Sequence, residues 1–336
     1  MKGGLFVGTY AAQGGAGLVP LIHDDARNVW SAGEPVPHIR GASFGVVDGA
    51  RALFVDEESN RLALFDPTAD MRLLASCASG GEAPCHVAVD RQGEWAAVAN
   101  YGSGTVALFQ LGKQLRGPIA RHQNEGSGPD PNRQEGPHAH WVGFTPDGSR
   151  LLCVDLGCDR VLSFKVDRER GALKAPTNFY CAPAGSGPRH LAFHPELPLA
   201  YLVSELAATL TVLHLEPAEV RAGMVRPLPS DGETLGGAIA IDPAGTRLYA
   251  TSRGHDSIAT YALNEAGELV PIATVSSGGA SPRHLCLTPQ HLLCANEGGG
   301  SVTIFTLDES GRPAEPQVLD LPGAAFVIAL SPGGST

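Results

Sequence analysis

Charged and aromatic side chains are both scarce in this sequence, at 18% and 6% of 336 residues. The net charge of −11 argues against a nucleic-acid or anionic-membrane partner, because both need a basic protein surface. No run of about 18 apolar residues occurs, so no transmembrane helix is expected. The first residues, MKGGLFVGTY, already follow a strand pattern, which predicts a cytoplasmic protein without a signal peptide.

The cysteines form no CxxC pair and have no zinc-type spacing with histidines. We therefore expect reduced, mostly buried thiols and no metal or other cofactor. The missing CxxCH motif also argues against a haem-dependent redox protein. The cysteines are scattered in strand-like segments, at Cys77, Cys85, Cys153, Cys158, Cys181, Cys286 and Cys294.

Glycine and proline are abundant, with 42 and 26 residues, which suits many short strands joined by tight turns. The chain also repeats itself every roughly 40 to 55 residues, the period of four-stranded propeller blades. Five copies show the pattern clearly, and they begin PCHVAVDRQG, AHWVGFTPDG, PRHLAFHPEL, GGAIAIDPAG and PRHLCLTPQH. A sixth copy, in which the pattern is less regular, begins at Ser43.

Each copy contains a strand, a turn such as TPDG or DPAG, a second strand, a polar turn and an alternating third strand. The termini supply a seventh copy, with FVIALSPGG as its first strand and LFVGTYAAQGGAGLVPLIHD as its second and third. We predict an all-β, seven-bladed β-propeller of four-stranded antiparallel blades, in which the two terminal strands share one blade. Residues 1–336 are expected to form a single domain with almost no helix.

The first strand of each propeller blade lines the central channel, and the second strand runs back along it. The residue that opens the first strand and the residue that follows the second should therefore lie at the same end of the channel. The first strands open at Ser43, Cys85, His140, Arg189, Gly237, Arg283 and Phe326. The second strands are followed by Tyr10, Glu57, Tyr101, Leu156, Glu205, Arg253 and Glu297. The residues just before these are uniformly small and polar, which indicates a structural role in the turns: Thr9, Asp56, Asn100, Asp155, Ser204, Ser252 and Asn296.

Copies three to five would bring an imidazole, a carboxylate and two guanidinium groups to one channel mouth. The predicted catalytic residues are His140, Arg189, Glu205 and Arg253. The candidate substrate-binding residues are His138, Arg283, Tyr101 and Glu57. His190 is expected to face the other side of its strand. One alternative makes Arg189 and Glu205 a structural ion pair.

Four segments, EGPHAHWVGFTPDG, GSGPRHLAFHP, YLVSEL and LYATSRG, resemble the lactonase-type seven-bladed propellers. This family includes the propeller-type 6-phosphogluconolactonases and the fungal carboxy-muconate cyclases. The likeness runs from LFVGTY to FVIALSPGG, with departures at PCH in the second blade and at VVDGARA. The resemblance assigns the family's histidine to His138 or His140, with the register favouring His140. Its two arginines and its glutamate correspond to Arg189, Arg253 and Glu205.

The resemblance implies hydrolysis of a small anionic sugar lactone, with 6-phosphogluconolactone as the expected substrate. Glu205 or His140 would take a proton from water, while the arginines bind the anionic group and the oxyanion. A lactone is already activated, so a metal is not required, and a monomer or weak homodimer is expected. A muconate-type cycloisomerase using the same site stays open. A non-enzymatic binding platform is disfavoured by the few aromatic residues and the lack of repeated WD dipeptides.

Overall fold

Short strands joined by glycine-rich and Asx turns are the main elements of the described chain. The structure is a computed structural model that describes residues 4–49, 51–112, 115–216 and 220–330. A single 3-10 turn, Ala11–Gln13, is its one helical element in those ranges. In chain order the strands are β1 (Leu5–Thr9), β2 (Leu18–Asp24), β3 (Val29–Ala32), β4 (Ala42–Asp48), β5 (Arg51–Asp56), β6 (Arg61–Asp66), β7 (Arg72–Ala78), β8 (Pro84–Val89), β9 (Trp95–Asn100), β10 (Thr105–Gln110), β11 (Ala120–Gln123), β12 (Ala139–Phe144), β13 (Leu151–Asp155), β14 (Arg160–Phe164), β15 (Val166–Asp167), β16 (Ala172–Leu173), β17 (Thr177–Cys181), β18 (Pro188–Phe193), β19 (Leu199–Ser204), β20 (Thr209–Leu215), β21 (Val220–Pro227), β22 (Leu235–Ile241), β23 (Arg247–Arg253), β24 (Ser257–Leu263), β25 (Leu269–Ser276), β26 (Pro282–Leu287), β27 (His291–Asn296), β28 (Ser301–Leu307), β29 (Pro313–Asp320) and β30 (Ala324–Ala329).

The strands form seven four-stranded sheets, and the two-residue strands β15 and β16 form a small extra hairpin. The sheet orders are β4-β5-β6-β7, β11-β10-β9-β8, β12-β13-β14-β17, β18-β19-β20-β21, β22-β23-β24-β25, β26-β27-β28-β29 and β3-β2-β1-β30. The fold is therefore the predicted all-β, seven-bladed propeller of antiparallel blades. By compactness the chain divides into two units, unit 1 with residues 1–40 and 191–336 and unit 2 with residues 41–190.

The terminal sheet confirms the predicted pairing of the two chain ends. In unit 1, β1 lies between β2 and β30 and pairs antiparallel with both. Phe6 is opposite Ile328, and Val7 is opposite Val327. The predicted turn after this last strand, SPGG, lies outside the described residues.

Apolar residues from neighbouring sheets form the core inside each unit. In unit 2, Ala97 and Val106 from one sheet pack with Val142, Leu151 and Phe164 from the next. In unit 1, sheets β22–β25 and β26–β29 pack in the same way. Alternation places these side chains on the faces between sheets. No helix in the described ranges is long and apolar enough to cross a membrane.

A β-bulge interrupts the first strand of most sheets at the position that the repeats single out. Ala139 pairs with Asp155 and Trp141 with Val154, so His140 has no partner across the ladder. Ser43, Cys85 and Arg283 occupy the same place in their sheets. A bulge bends the strand and re-aims the side chains beside it. The structure thus explains why these residues do not follow a simple alternation.

The predicted opening residue of the terminal sheet, Phe326, is wrong by one position. Phe326 pairs with Gly8 and Ala324 with Thr9, so Ala325 is the bulged residue. Phe326 instead corresponds to the residue after the bulge and packs its ring 4.7 Å from that of His284. The extra residue of a bulge has no signature in a two-residue alternation, which explains the error.

The thiols are free, and most of them are buried, as predicted. Cys181 is exposed and Cys77 is partly buried, whereas the other five are buried. Burial raises the pKa of Cys77 to about 11 and that of Cys286 to about 12. Since the thiolate is the reactive form, these thiols should be inert at neutral pH.

We expect one thiol per native chain, that of Cys181, to react rapidly with a disulfide reagent at neutral pH. All seven thiols should react after denaturation. Absorbance of the released thiol anion measures both numbers, and Cys181→Ser should remove the rapid phase. A rapid phase that persists in this variant would contradict the assignment.

Candidate active site

In unit 2, several histidine and tyrosine rings lie close together around His140. The His140 ring lies 5.1 Å from that of His190 and 5.6 Å from that of Tyr101, both edge to face. Tyr101 stacks on His138 at 4.5 Å with an interplanar angle of 19°. His140 is 5% exposed, so the imidazole lies almost entirely out of bulk water. Three predicted site residues, His138, His140 and Tyr101, therefore form one cluster.

Arg189 contacts this cluster through His190, the next residue of the same strand. Arg189 is 2% exposed, and its Nη1 lies 3.4 Å from Nε2 of His190. A guanidinium has no acceptor, so Arg189 donates and Nε2 of His190 accepts. This bond leaves the His190 proton on Nδ1. The prediction that His190 faces the other side of its strand from Arg189 is wrong, because the two side chains are in contact.

His190 is also the functional candidate that the sequence reasoning missed. The tripeptide P-x-H occurs three times at the opening of a first strand, ending at His86, His190 and His284. His86 and His284 connect neighbouring sheets, because their Nδ1 atoms accept from the backbone N–H of Val142 and Val327, each at 3.4 Å. The recurrence of P-x-H was the available signal, and His190 becomes a functional candidate because its Nε2 contacts Arg189.

Asp155 supports the strand that carries His140. Its Oδ1 accepts the backbone N–H of His138 at 2.9 Å and that of Cys158 at 3.1 Å. Its Oδ2 accepts Nδ2 of Asn124 at 2.7 Å. Burial raises the pKa of Asp155, and these hydrogen bonds oppose the rise. Asp155 therefore has a structural role, as predicted for the residue that ends the second strand.

Unit 1 holds the second predicted group, an ion pair between Glu205 and Arg253. Nη2 of Arg253 lies 2.6 Å from Oε2 of Glu205, and the two side chains are only 12% and 3% exposed. The same Nη2 donates to the carbonyl of Gly236 at 2.8 Å. Nε of Arg253 is buried and has no hydrogen-bond acceptor among the residues that the structure describes.

The backbone around Gly236 brings these two side chains together. The Gly236 N–H donates to the carbonyl of Glu205 at 2.8 Å. A Cβ on Gly236 would lie 2.4 Å from the carbonyl oxygen of Ser204, so no larger residue fits without a backbone shift. The glycine allows close approach of the two strands, and Glu205 reaches the guanidinium from the end of β19.

Two further predicted residues, Arg283 and Glu57, lie in different units. In unit 1, Nη1 of Arg283 lies 3.3 Å from Oε2 of Glu297, and its guanidinium lies 5.7 Å from the centre of the Tyr10 ring. In unit 2, Glu57 is partly buried and its backbone N–H donates to Gly41. That all these groups open on a single mouth stays a prediction. No cluster of three or more His, Cys, Asp or Glu residues in the described ranges is arranged to hold a metal.

The sequence matches the model of one protein family over residues 4–328, described as "Lactonase, 7-bladed beta-propeller". It is 37% identical to the 6-phosphogluconolactonase of Bacillus subtilis, over 91% of this chain and 92% of that protein. This similarity and the family match both extend over nearly the whole chain.

Solved structures agree on the fold. A protein from Lactobacillus plantarum superposes with a TM-score of 0.89 at 25% identity, over 98% of this chain and all of that one (100%). The periplasmic gluconolactonase of Pseudomonas aeruginosa gives a TM-score of 0.88 at 24% identity, over 98% and 99% of the two chains. The chain belongs to the lactonase family of seven-bladed β-propellers, and it is an enzyme of that family.

Proposed function

We propose that this protein hydrolyses 6-phosphogluconolactone to 6-phosphogluconate. The buried Glu205–Arg253 pair, with 2.6 Å between Oε2 and Nη2, carries the proposal. The 37% identity to the Bacillus subtilis 6-phosphogluconolactonase supports this substrate. The pair combines a proton acceptor with a fixed positive charge, the two elements that ester hydrolysis by water requires.

In the proposed reaction, a water molecule attacks the lactone carbonyl carbon while the Glu205 carboxylate takes one of its protons. The carbonyl oxygen becomes an oxyanion in the tetrahedral intermediate. The bond from this carbon to the ring oxygen then breaks, and the ring oxygen takes the proton back from Glu205. The product is an open-chain acid, and Glu205 is ionised again.

Arg253 balances the charge during this transfer. Before the attack, the guanidinium faces the negative charge of Glu205 at 2.6 Å. When Glu205 accepts the proton, the same unit of negative charge appears on the substrate oxygen. A guanidinium held by Gly236 can stabilise the oxyanion as its bond to Glu205 weakens. The net charge around Arg253 then stays constant through the step, which favours the transition state.

His140 and Arg189 are proposed to bind and orient the lactone, with His140 as the alternative proton acceptor. Both side chains are almost completely buried, and His190 lies against both. A buried imidazole and a guanidinium can each donate to the lactone oxygens. Orientation of a reacting group is a large part of catalysis, so these residues should affect the rate without exchanging the proton.

The test measures kcat/KM for 6-phosphogluconolactone and for a muconate diacid, with wild-type protein, His140→Asn and Arg189→Lys. We expect lactone opening by the wild type and no reaction of the muconate. His140→Asn should lower kcat/KM about 10-fold, because one substrate hydrogen bond is lost. Arg189→Lys should have a similar effect, since lysine retains the charge but lacks the planar fork.

The dependence of kcat/KM on pH separates the two proton acceptors. With Glu205 as the base, the acid limb of the wild-type profile should lie in the carboxylate range and should persist in His140→Asn. An acid limb in the imidazole range that His140→Asn abolishes would transfer the role to His140. Turnover of the muconate without lactone opening would refute the proposed reaction.

A further inference from the structure

The segment 124–138 between β11 and β12 is a loop whose position is fixed by a buried glutamine. Gln134 is completely buried (0% exposed), and its Nε2 donates to the carbonyl of Leu156 at 2.9 Å and to Oδ1 of Asp159 at 2.8 Å. One residue earlier, the backbone N–H of Arg133 donates to Oδ1 of Asp130 at 3.2 Å. The backbone of Arg133 is therefore held from both sides.

This loop brings the Arg133 side chain to the ring cluster of unit 2. Nη2 of Arg133 lies 3.5 Å from the hydroxyl oxygen of Tyr101. The ring of Tyr101 in turn meets that of His140 edge to face at 5.6 Å. One aromatic ring thus separates a guanidinium from the imidazole that we propose to orient the lactone. A substrate that contacts both Arg133 and His140 must have two polar groups some distance apart. 6-Phosphogluconolactone meets this condition, because its carbonyl and its phosphate lie at opposite ends of the sugar.

We propose that Arg133 forms an anion subsite that selects phosphorylated lactones over unphosphorylated ones. This inference rests on the proposed function and assigns the substrate phosphate to a residue outside the predicted catalytic set. Arginine suits the task, because its planar fork binds two phosphate oxygens at once and stays charged.

The solvent exposure of the arginines and the bonds they already make indicate which of them binds the phosphate. Arg189 is only 2% exposed, and Arg253 is bound to Glu205 and to the carbonyl of Gly236. A phosphate ester is strongly hydrated, and removing all its water is costly. Arg133 is partly exposed, so a phosphate bound there keeps part of its hydration shell. Arg133 therefore fits the phosphate better than Arg189, which is buried, or Arg253, which already binds Glu205.

The experiment compares 6-phosphogluconolactone with glucono-δ-lactone as substrates of the wild type, Arg133→Ala, Arg133→Lys and Arg91→Ala. Arg91 is an exposed arginine in the turn between β8 and β9, at the other end of the strand that leads to Tyr101. Arg133→Ala should lower kcat/KM for the phosphorylated lactone about 10- to 100-fold, as expected for a lost charge-assisted hydrogen bond. Its effect on glucono-δ-lactone should stay within about 3-fold.

Arg133→Lys should recover part of the preference, and Arg91→Ala should match the wild type with both substrates. An equal loss on both lactones would show that Arg133 supports the loop, and no loss on either would place the phosphate elsewhere. Both results overturn the inference.

Calorimetric binding of 6-phosphogluconate and gluconate separates this inference from the proposed function. We expect the wild type to bind 6-phosphogluconate more tightly and Arg133→Ala to bind both compounds alike. If this pattern is found in a protein that opens no lactone, the anion subsite stands and the proposed reaction fails. If the wild type opens lactones without preferring the phosphorylated ligand, the subsite fails alone.

Discussion

Replacing Glu205 by glutamine should lower kcat/KM for the lactone about 10²- to 10⁴-fold, the usual contribution of a general base. Glutamine nearly matches the shape of glutamate and can still accept a hydrogen bond from Arg253, so the fold should be retained. The loss should appear mainly in kcat, because the amide cannot take the proton from water. Steady-state kinetics and the thermal unfolding midpoint measure the two effects separately.

Glu297→Gln is the matched control for this substitution. Glu297 occupies the same register position in another blade and also pairs with an arginine, Arg283, at 3.3 Å. Both side chains of that pair are more exposed, at 17% and 19%. We expect Glu297→Gln to change kcat/KM less than about 5-fold, in line with a more solvated ion pair. Equal losses for the two variants would contradict a special role for Glu205.

Asp155→Ala should have the largest effect on stability among the substitutions considered. The change leaves three donors without their acceptor, the backbone N–H groups of His138 and Cys158 and the Nδ2 of Asn124. Unsatisfied buried donors cost roughly 1–3 kcal/mol each, so we expect a loss of about 4 kcal/mol in the free energy of unfolding. Denaturant titration followed by circular dichroism measures this loss. Asp147→Ala, an exposed turn residue of the same sheet, should cost about 1 kcal/mol or less.

Asp155→Asn should be milder than Asp155→Ala and should change the dependence of stability on pH. Burial raises the pKa of Asp155 above its ordinary value of 3.8, so the folded protein holds this proton more tightly than the unfolded chain does. The stability that Asp155 contributes is then complete below about pH 3.8 and is lost as the pH rises through the folded-state pKa.

An asparagine at position 155 stays neutral at every pH. The difference in unfolding free energy between the wild type and Asp155→Asn should therefore shrink as the pH rises from 4 toward neutrality. The Oδ1 of Asn124 is buried with no hydrogen-bond donor among the described residues, so a turned Asn124 amide can accept from the new amide group. A difference that grows with pH would show that the carboxylate of Asp155 is favoured in its ionised form.

The repeats predicted the architecture because each copy carries its own strand and turn signals. TPDG at residues 145–148 does form the turn between β12 and β13. The register of the copies also predicted that Glu205 and Arg253 hold equivalent positions in adjacent blades, and the structure pairs them directly. A repeated pattern fixes equivalent positions even where the individual side chains differ.

Two features could not be predicted from this pattern. The first is the bulge at the opening of β30, which shifted Phe326 by one position, because a bulge adds one residue without a characteristic sequence. The second is Arg133, whose loop has no hydrophobic period. Its position depends on contacts of the buried Gln134 with Leu156 and Asp159, about 20 residues further along the chain.

The pairing of β1 with β30 determines when the protein can finish folding. Phe6 is synthesised well before its partner Ile328, which lies far along the chain. Until then β1 has an open hydrogen-bonding edge, and such edges promote pairing between different chains. Nascent chains that lack β30 should therefore depend on chaperones, and the pairing of β1 with β30 should form slowly because the two strands are far apart in the sequence.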